Sequence, residues 1–396
     1  MAAPAAPTIT EVDPASGPND LDKAVTISGT GFVDTPTVTL GTRTLNDIHY
    51  VRPTALRATV PWGLDPGTYT LTVQNPDGGS FTMADAFTVS DAIGVWNTGA
   101  LYGGDVAEVA VVSQTPEIVY AVSHDVGMFR SADGGSTWEF KVAGGDYGVR
   151  NLAVSPVSPT VVYMFMSGSL HRSDDGGDSW VSLDTPGQIP FPHPTEGNTL
   201  FASNRWEGQG GLWKSTDCGE TWRDVTTGLT DTRVSKLVFD RQAEPMTIYA
   251  GTEEGNIFVS SDDAESWDFV AHPVQLVQHL AINPRGDHEL WVSNCCFCNP
   301  NTTLRSTNAA HTMWLTVSQP VGSMPLTSID FAPDGWGDAY SQTVFVSDCW
   351  GHVQRSQDGG ATWTSLDPAT DEWHWALDLH PSDPNVLYAT SNRHAM

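Results

Sequence analysis

The octet "SADGGSTW" (131–138) recurs along this chain and decides its fold. The other copies are "SDDGGDSW" (173–180), "STDCGETW" (215–222), "SSDDAESW" (260–267), "STNAAHTMW" (306–314) and "SQDGGATW" (356–363). Their first serines are 42, 42, 45, 46 and 50 residues apart. Short apolar runs and turn residues alternate between the copies. A repeat of about 40 to 50 residues in such a sequence is typical of propeller blades, each a four-stranded sheet.

Each octet is predicted to form the hairpin between the third and fourth strands of a blade, which we label c and d after strands a and b. Its acidic residue can accept backbone N–H groups, its glycines adopt positive φ, and its tryptophan packs at the start of strand d. The copies also vary, with Ala264 in place of a glycine and an extra residue before Trp314. Graded variation favours a structural role for the acidic position, occupied by Asp133, Asp175, Asp217, Asp262, Asn308 and Asp358.

The pattern S-x-D-x-G-x-T-W resembles the Asp-box, or BNR repeat, of sialidases, sortilin-like receptors, two-propeller xyloglucanases and photosystem II assembly factors. The resemblance implies that the box is a peripheral fold element and not an active site. Sialidases need an arginine triad and an early R-I-P segment, and the absence of that segment here argues against a sialidase.

Six complete blades are predicted, with strands a beginning near residues 105, 149, 188, 233, 278 and 326. A seventh takes strands a and b from "HWALDLHP" (374–381) and "NVLYATS" (385–391), and strand d from "GVWNTG" (94–99). The sequence therefore predicts a seven-bladed propeller over residues 91–396, closed by strands from both ends of that segment.

Residues 1–90 alternate apolar and polar positions between turn signals, which predicts a small β-sandwich. The segments "ITEVDPASGP" (9–18), "VTISGTGF" (25–32), "VPWGLDPGTYTLTVQNPDG" (60–78) and "AFTVS" (86–90) resemble an immunoglobulin-like IPT/TIG domain. Gly29 and Gly31 are expected to let the chain bulge before Phe32 enters the core. The fold class predicted for the chain is all-β, an Ig-like sandwich followed by a propeller.

The chain carries 47 acidic and 18 basic residues, a net charge of −29 over 396 residues. Such a charge repels nucleic acid and anionic lipid, so neither is an expected partner. No apolar stretch predicts membrane insertion, and the first residues lack the basic and apolar regions of an export signal. We expect a protein or glycan partner, membership of a larger assembly, and a location outside the cell, on its surface or on a particle surface. No cofactor is predicted.

Three cysteines crowd together in "NCCFCNP", and a fourth lies in the next repeat. A disulfide from Cys295, Cys296 or Cys298 to Cys349 would tie two neighbouring loops. Metal binding by these thiols with His311 or His352 is an alternative, but the spacing is not C-x-x-C. Free thiols are the third alternative, and no metal site is assigned.

Functional side chains are expected on the face opposite the octets, which the b–c and d–a loops line. The candidate binding residues there are His124, Asp125, Arg205, Trp206, Glu253, Glu254, Asp348, Trp350, Trp373 and Arg393. Trp206, Trp350, Trp373 and Trp375, with Tyr147, suggest a platform on which sugars stack, although tryptophans also fill propeller cores.

One segment points to an enzyme. "YAVSHDVGMFRS" (120–131) is similar to the first-blade segment of the two-propeller xyloglucanases, and that resemblance implies a catalytic carboxylate at Asp125. Those enzymes place their second carboxylate on another propeller, whereas Asp125, Glu253 and Asp348 fall on non-adjacent blades of one ring. We therefore expect a non-catalytic binding or assembly protein, such as an adhesin, a decoration protein or a structural subunit. The alternatives are a glycan-binding lectin or glycoside hydrolase, and an assembly factor that holds a protein partner.

Overall fold

The chain divides into two compact units, Met1–Trp96 and Asn97–Met396. The computed structural model describes residues 6–18, 23–61, 64, 67–90, 106–124, 126–143, 148–205, 210–285, 288–294, 302–308, 310–317, 326–333, 336–337, 341–348, 352–366, 376–384 and 386–390. The expected domain boundary at residue 90 adjoins a segment outside these ranges and stays a prediction.

The first unit is a sandwich of two sheets, with strand orders β1-β3-β7-β6 and β2-β9-β8-β4-β5. Alternate residues of each strand point inward, and Ile27, Leu56 and Leu71 are completely buried between the sheets. Gly29 lies so close to the Thr8 carbonyl that a Cβ would stand 1.8 Å from its oxygen. The strands are β1 (Thr8–Asp13), β2 (Ser16–Pro18), β3 (Lys23–Thr30), β4 (Thr37–Leu40), β5 (Arg43–Thr44), β6 (Asn46–Arg52), β7 (Ala55–Val60), β8 (Gly67–Gln74) and β9 (Ser80–Ser90).

The second unit is built of antiparallel sheets whose strands follow one another in chain order. Sheet 1 holds β10 (Val106–Val111), β11 (Val119–Ser123), β12 (Gly127–Ser131) and β13 (Glu139–Ala143), and sheet 2 holds β14 (Val149–Val154), β15 (Val162–Met166), β16 (Ser169–Ser173) and β17 (Val181–Ser182). Sheet 3 holds β18 (Ile189–Pro192), β19 (Leu200–Asn204), β20 (Gly211–Ser215) and β21 (Arg223–Asp224), and sheet 4 holds β22 (Val234–Asp240), β23 (Thr247–Thr252), β24 (Ile257–Ser260) and β25 (Asp268–Ala271).

Sheets 5 and 6 repeat this pattern, and a shorter sheet follows them. Sheet 5 holds β26 (His279–Ile282), β27 (Leu290–Ser293), β28 (Thr303–Ser306) and β29 (Trp314–Thr316), and sheet 6 holds β30 (Leu326–Phe331), β31 (Val344–Asp348), β32 (Val353–Ser356) and β33 (Thr364–Ser365). Sheet 7 contains, within the described residues, β34 (Leu377–Leu379) and β35 (Leu387–Ala389).

The sheets are arranged as the blades of a propeller. The second strand of each four-stranded propeller sheet is buried, with only Thr247 at the start of β23 partly exposed, because neighbouring sheets cover both of its faces. The first strand of sheet 7, β34, contacts the first strands of both sheet 6 and sheet 1. The strands expected from residues 94–99 and from the last residues of the chain lie outside the described residues, so the count of seven blades stays a prediction.

Polar side chains join successive blades. The serine hydroxyls of Ser203, Ser235 and Ser293 each donate to a backbone carbonyl at or just before the first strand of the next sheet, at 2.9, 2.7 and 3.1 Å. Carboxylates make two of the other joins: Glu108 accepts the Asn151 N–H of sheet 2 at 2.7 Å, and Asp378 accepts the Val111 N–H of sheet 1 at 2.6 Å. These bonds bring the first strands together around a common axis.

Candidate functional site

The octets form the turns between the third and fourth strands. In the first copy, Ser131 Oγ donates to Asp133 Oδ1 at 2.8 Å and accepts the Gly135 N–H at 2.8 Å. The Thr137 backbone N–H and hydroxyl donate to the same carboxylate at 2.8 and 2.6 Å. The same bonds recur around Asp175, Asp217, Asp262 and Asp358.

These bonds hold the octet carboxylates in their ionised form. The hydroxyl four residues later is the largest cause of a pKa of about 2 for Asp175, Asp217 and Asp262. An aspartate whose oxygens are engaged in its own turn is a poor proton donor at neutral pH. The octets therefore build the fold and leave chemistry to other residues.

The fifth octet closes differently. Asn308 replaces the aspartate, accepts the Thr312 N–H at 3.0 Å and donates to the Thr312 hydroxyl at 2.8 Å. The buried His311 ring lies between Ser306 Oγ, 3.0 Å from Nδ1, and the Tyr249 hydroxyl, 2.9 Å from Nε2. In this copy the octet serine therefore contacts an imidazole ring.

The opposite face carries the loops that follow β11, β15, β19, β23, β27 and β31. The loop after β11 lies close to the start of β14 in sheet 2, where the Val149 N–H donates to the His124 carbonyl at 3.4 Å. Asp125, which follows His124, lies outside the described residues. So do other residues expected on this face, namely Tyr147, Trp206, Trp350, Trp373, Trp375 and Arg393.

The structure brings Arg205 and Glu253 together at 3.7 Å, between Nη1 and Oε1. The Arg205 side chain is 42% exposed, whereas that of Glu253 is 18% exposed. Burial raises the pKa of Glu253, and the positive charges of Arg205 and Arg233 oppose that rise. Glu253 Oε1 has no hydrogen-bond partner among the described residues.

Arg233 joins two further carboxylates of this face. Its Nε lies 3.1 Å from Asp231 Oδ1 and its Nη2 lies 2.8 Å from Glu254 Oε1. Glu254 is therefore part of a structural ion-pair network at the edge of the loop.

Asp348 does not present a free carboxylate on this surface. It is 2% exposed, and its Oδ2 lies 2.8 Å from His352 Nδ1. This pairing also engages one of the histidines that could have joined the thiols in a metal site.

A cleft of about 530 Å³ opens on this face between sheets 2 and 3. Phe165 and Trp213 contribute its aromatic surfaces, and glycines leave room between them. Gly211 is required for the Trp213 ring to fold back, because a Cβ there would lie 2.2 Å from that ring. The lining residues are Phe165, Gly168, Thr185, Pro186, Gly187, Gln188, Asn204, Gly210 and Trp213.

Sequence reasoning missed this cleft. Phe165 and Trp213 lie on the strands of different repeats, and each reads in its own repeat as a core residue. The signal that was available is the glycine content of the b–c loops, with Gly168 in one and Gly210 in the next.

Ionisable side chains also gather around the axis, on the first strands of several sheets. Burial raises the pKa of Asp330 to about 6 and that of Asp378 to about 7. Burial lowers the pKa of Lys236, and it holds the pKa of His279 well below its usual value. Lys236 on sheet 4 interacts electrostatically with Glu108 on sheet 1 and with Asp330 on sheet 6, as residues facing one axis do.

Four of the five cysteines, Cys295, Cys296, Cys298 and Cys349, lie outside the described residues, so their predicted disulfide stays a prediction. Cys218 is a free thiol in the third octet. Within the described ranges no group of three or more His, Cys, Asp and Glu side chains is arranged to hold a metal ion. The same ranges contain no helix with the length and apolarity needed to cross a bilayer.

Comparison with known proteins identifies the two folds. Residues 7–89 match the model of the IPT/TIG domain. A xyloglucanase from Paenibacillus sp. is 23% identical over 345 residues, which are 71% of this chain and 32% of that enzyme. The chain therefore spans about a third of the length of the curated relatives it matches.

Solved structures show the same propeller. The GH74 xyloglucanase from Xanthomonas campestris superposes with a TM-score of 0.61 at 21% identity, over 75% of this chain and 52% of that one. YCF48 from Cyanidioschyzon merolae superposes with a TM-score of 0.56 at 15% identity, over 75% of this chain and 96% of that one.

These comparisons overturn one expectation. The expectation of a non-catalytic binding or assembly protein is wrong, because the curated relatives are xyloglucanases and GH74 enzymes are among the structural neighbours. The chain thus consists of an IPT/TIG domain at its N-terminus followed by an all-β propeller of the kind found in GH74 xyloglucanases and YCF48.

Proposed function

We propose that this protein is a glycoside hydrolase that cleaves a neutral polysaccharide of the xyloglucan type outside the cell. The observation that carries the proposal is the cleft between sheets 2 and 3, which opens on the same face as the loop of Asp125. The relatedness to xyloglucanases supports the reaction class. The charge of −29 favours an uncharged substrate, because it repels polysaccharides that bear carboxylates or sulfates.

The cleft offers surfaces suited to sugars. Sugar rings stack on aromatic faces, and the partly exposed Trp213 supplies one in this cleft. We assign this cleft to binding of the polysaccharide next to the cleavage point.

The proposal assigns one catalytic carboxylate to Asp125. Glycosidases need two carboxyl groups about 5 to 10 Å apart. Asp125 directly follows His124 in the chain, and the His124 carbonyl oxygen lies 3.4 Å from the Val149 nitrogen. Asp146 precedes Val149 by three residues. Asp146 is therefore the second carboxyl group that the proposal tests.

Glu253 has a different role in this proposal. It follows β23 of sheet 4, whereas Asp125 follows β11 of sheet 1, so the proposal does not assign both carboxyl groups to the same bond. Its half-buried carboxyl group beside Arg205 is suited to accepting sugar hydroxyls farther along the chain.

The test is the release of reducing ends from xyloglucan by the full chain and by variants. We expect the wild type to hydrolyse the polymer, and Asp125→Asn to lower kcat by about 10²- to 10⁴-fold, the usual contribution of a catalytic acid or base. Asp146→Asn should lower kcat by a similar factor if Asp146 is the second carboxylate. Glu253→Gln should mainly raise KM.

The matched control is Asp268→Asn, the same chemical change at an exposed position of the outer strand β25. It should leave kcat unchanged. The proposal fails if the folded wild type releases no reducing ends, or if Asp125→Asn is as active as this control.

A further inference from the structure

Arg150 lies beside the cleft between sheets 2 and 3. It is the second residue of β14 and pairs across the sheet with Phe165 of β15. Its guanidinium carbon lies 4.9 Å from the centre of the Phe165 ring, which lines the cleft, so the cation rests on that ring. Stacking of this kind fixes the plane of a guanidinium group, and therefore the directions in which its N–H groups point.

The backbone around Arg150 is held from both sides. The register of pairing with β15 shifts directly after Arg150, and Asn151 adopts a positive φ of 57°. The Asn151 backbone N–H donates to Glu108 of sheet 1 at 2.7 Å. Its side-chain amide donates at 3.0 Å to the carbonyl of Gln188, a residue of the cleft wall on sheet 3. Sheets 1 and 3 therefore fix the point from which the Arg150 side chain extends over Phe165.

The N–H groups of Arg150 are available to a ligand. Within the described part of the chain, no carboxylate pairs with Arg150 and no protein acceptor bonds to its guanidinium group. In contrast, Arg172 pairs with Asp174, and Arg223 pairs with Glu265. The Arg150 side chain is only partly buried, and none of the residues that line the cleft is ionisable. A molecule in the cleft therefore meets these donors without competition from a protein carboxylate of the cleft wall.

Arg150 also lies next to the loop of Asp125. It directly follows Val149, whose N–H donates to the His124 carbonyl at 3.4 Å, and Asp125 follows His124 in the chain. A ligand that contacts Arg150 in the cleft is therefore close to the loop that carries the carboxylate assigned to catalysis.

We propose that Arg150 is a substrate-binding residue, which donates hydrogen bonds to the oxygens of the sugar unit held in the cleft next to the cleavage point. A guanidinium group offers five N–H donors in one plane and no acceptor, whereas the hydroxyl and ring oxygens of a sugar are acceptors. Trp213, on the sheet 3 side of the cleft, supplies the face on which that unit stacks. This inference rests on the proposed function, and it names the contact that orients the sugar.

The experiment measures binding of xyloglucan oligosaccharides to the full chain by isothermal titration calorimetry, in an Asp125→Asn background that limits hydrolysis. Arg150→Met keeps an unbranched side chain over Phe165 and removes every donor. We expect it to weaken binding by about 10- to 100-fold, the loss typical of removing hydrogen bonds from a charged donor. Arg150→Lys keeps the charge without the planar fork of donors, and should weaken binding less than Arg150→Met.

Kinetics in the otherwise wild-type chain give a second reading. There Arg150→Met should raise KM for xyloglucan by a factor similar to its loss of affinity, with a smaller change in kcat. The matched control is Arg241→Met, since Arg241 is exposed in the turn after β22, on the octet face. This control should bind the oligosaccharides as tightly as the background chain and keep the wild-type KM.

Urea unfolding shows whether each variant is folded, and Arg150→Lys decides if Arg150→Met is not. The inference is overturned if the folded Arg150 variant binds as tightly as the Arg241→Met control while the wild type hydrolyses xyloglucan. That outcome leaves the proposed function intact. If the wild type neither binds nor hydrolyses xyloglucan, the proposed function and this inference both fail.

Discussion

Aspartates occupy two kinds of position in the propeller, and the environment of each kind sets opposite properties. The octet aspartates at the rim accept hydroxyl and backbone N–H groups, which lower the pKa of Asp175, Asp217 and Asp262 to about 2. On the axis, burial raises the pKa of Asp330 to about 6 and that of Asp378 to about 7. The repeated aspartates are therefore held ionised by their own turns, whereas the pKa values of the two axial aspartates lie close to neutral pH.

Acid should destabilise the propeller through the rim. A carboxylate with a folded pKa near 2 and an unfolded pKa near 4 contributes stability that is present above pH 4 and is lost as the pH falls towards 2. Because several octets titrate together, we expect this to be the largest effect on stability. Urea unfolding followed by tryptophan fluorescence between pH 5 and 2 measures it. Equal stability at both ends of that range would contradict the account.

Asp378 should make the propeller less stable as the pH rises, which is the opposite of the effect of the octet aspartates. Its folded pKa of about 7 lies above the unfolded value, so its contribution is full below about pH 4 and is lost as the pH rises through 7. Asp378→Asn cannot ionise, but its single carbonyl oxygen cannot accept both the Val111 and the Leu379 N–H groups.

We therefore expect the stability curves of wild type and Asp378→Asn to cross. The variant should be less stable at pH 4.5 and more stable at pH 8, with differences of up to a few kcal/mol. Asp268→Asn, the same chemical change at an exposed position of β25, is the control and should not reproduce the crossing. A constant offset between wild type and Asp378→Asn would show that the axis does not raise the pKa of Asp378.

The Ser215 hydroxyl tests how much the octet serine contributes to stability. This buried serine donates to Asp217 at 2.7 Å and accepts the Gly219 N–H at 2.8 Å. Ser215→Ala leaves a buried N–H without an acceptor and should lower the free energy of unfolding by about 1–3 kcal/mol. Ser182→Ala, at an exposed position of β17, should change it by less than about 0.5 kcal/mol. Similar decreases in the free energy of unfolding in both variants would show that the octet serine contributes no more than an exposed serine.

The fifth octet offers the smallest effect. Asn308→Asp restores the consensus carboxylate, and both the backbone N–H and the hydroxyl of Thr312 can then donate to it. The variant gains no bond from Ser306, because that hydroxyl lies 3.0 Å from His311 Nδ1. We expect a stabilisation below about 1 kcal/mol, measured by urea unfolding at pH 7. A gain of several kcal/mol would mean that His311 does not substitute for the missing contacts.

The fold was predictable because its determinants are local. Ser131, Asp133 and Trp138 stand within eight residues of one another, and the same spacing returns in four of the other five octets. The first strands of the six four-stranded propeller sheets begin within about one residue of the expected positions for the same reason. The glycines of the first unit were also informative, since Gly29 and Gly31 lie where the chain passes close to the first strand.

The site was less predictable because it is assembled from distant repeats. Phe165 and Trp213 meet in one cleft only after sheets 2 and 3 pack together. Lys236 and Asp330 acquire their properties from an axis that no single repeat contains. The error about function arose because the sequence argument required two carboxylates on the b–c loops of one ring, and gave little weight to the resemblance around Asp125.

The central claim is that chemistry takes place on the face opposite the octets. The most direct test compares kcat for xyloglucan hydrolysis between Asp125→Asn and Asp217→Asn, each assayed well below its own unfolding temperature. The account predicts that Asp125→Asn loses about 10²- to 10⁴-fold of the activity, while Asp217→Asn keeps the activity of the wild type. Full activity in Asp125→Asn, or equal losses in both variants, would contradict it.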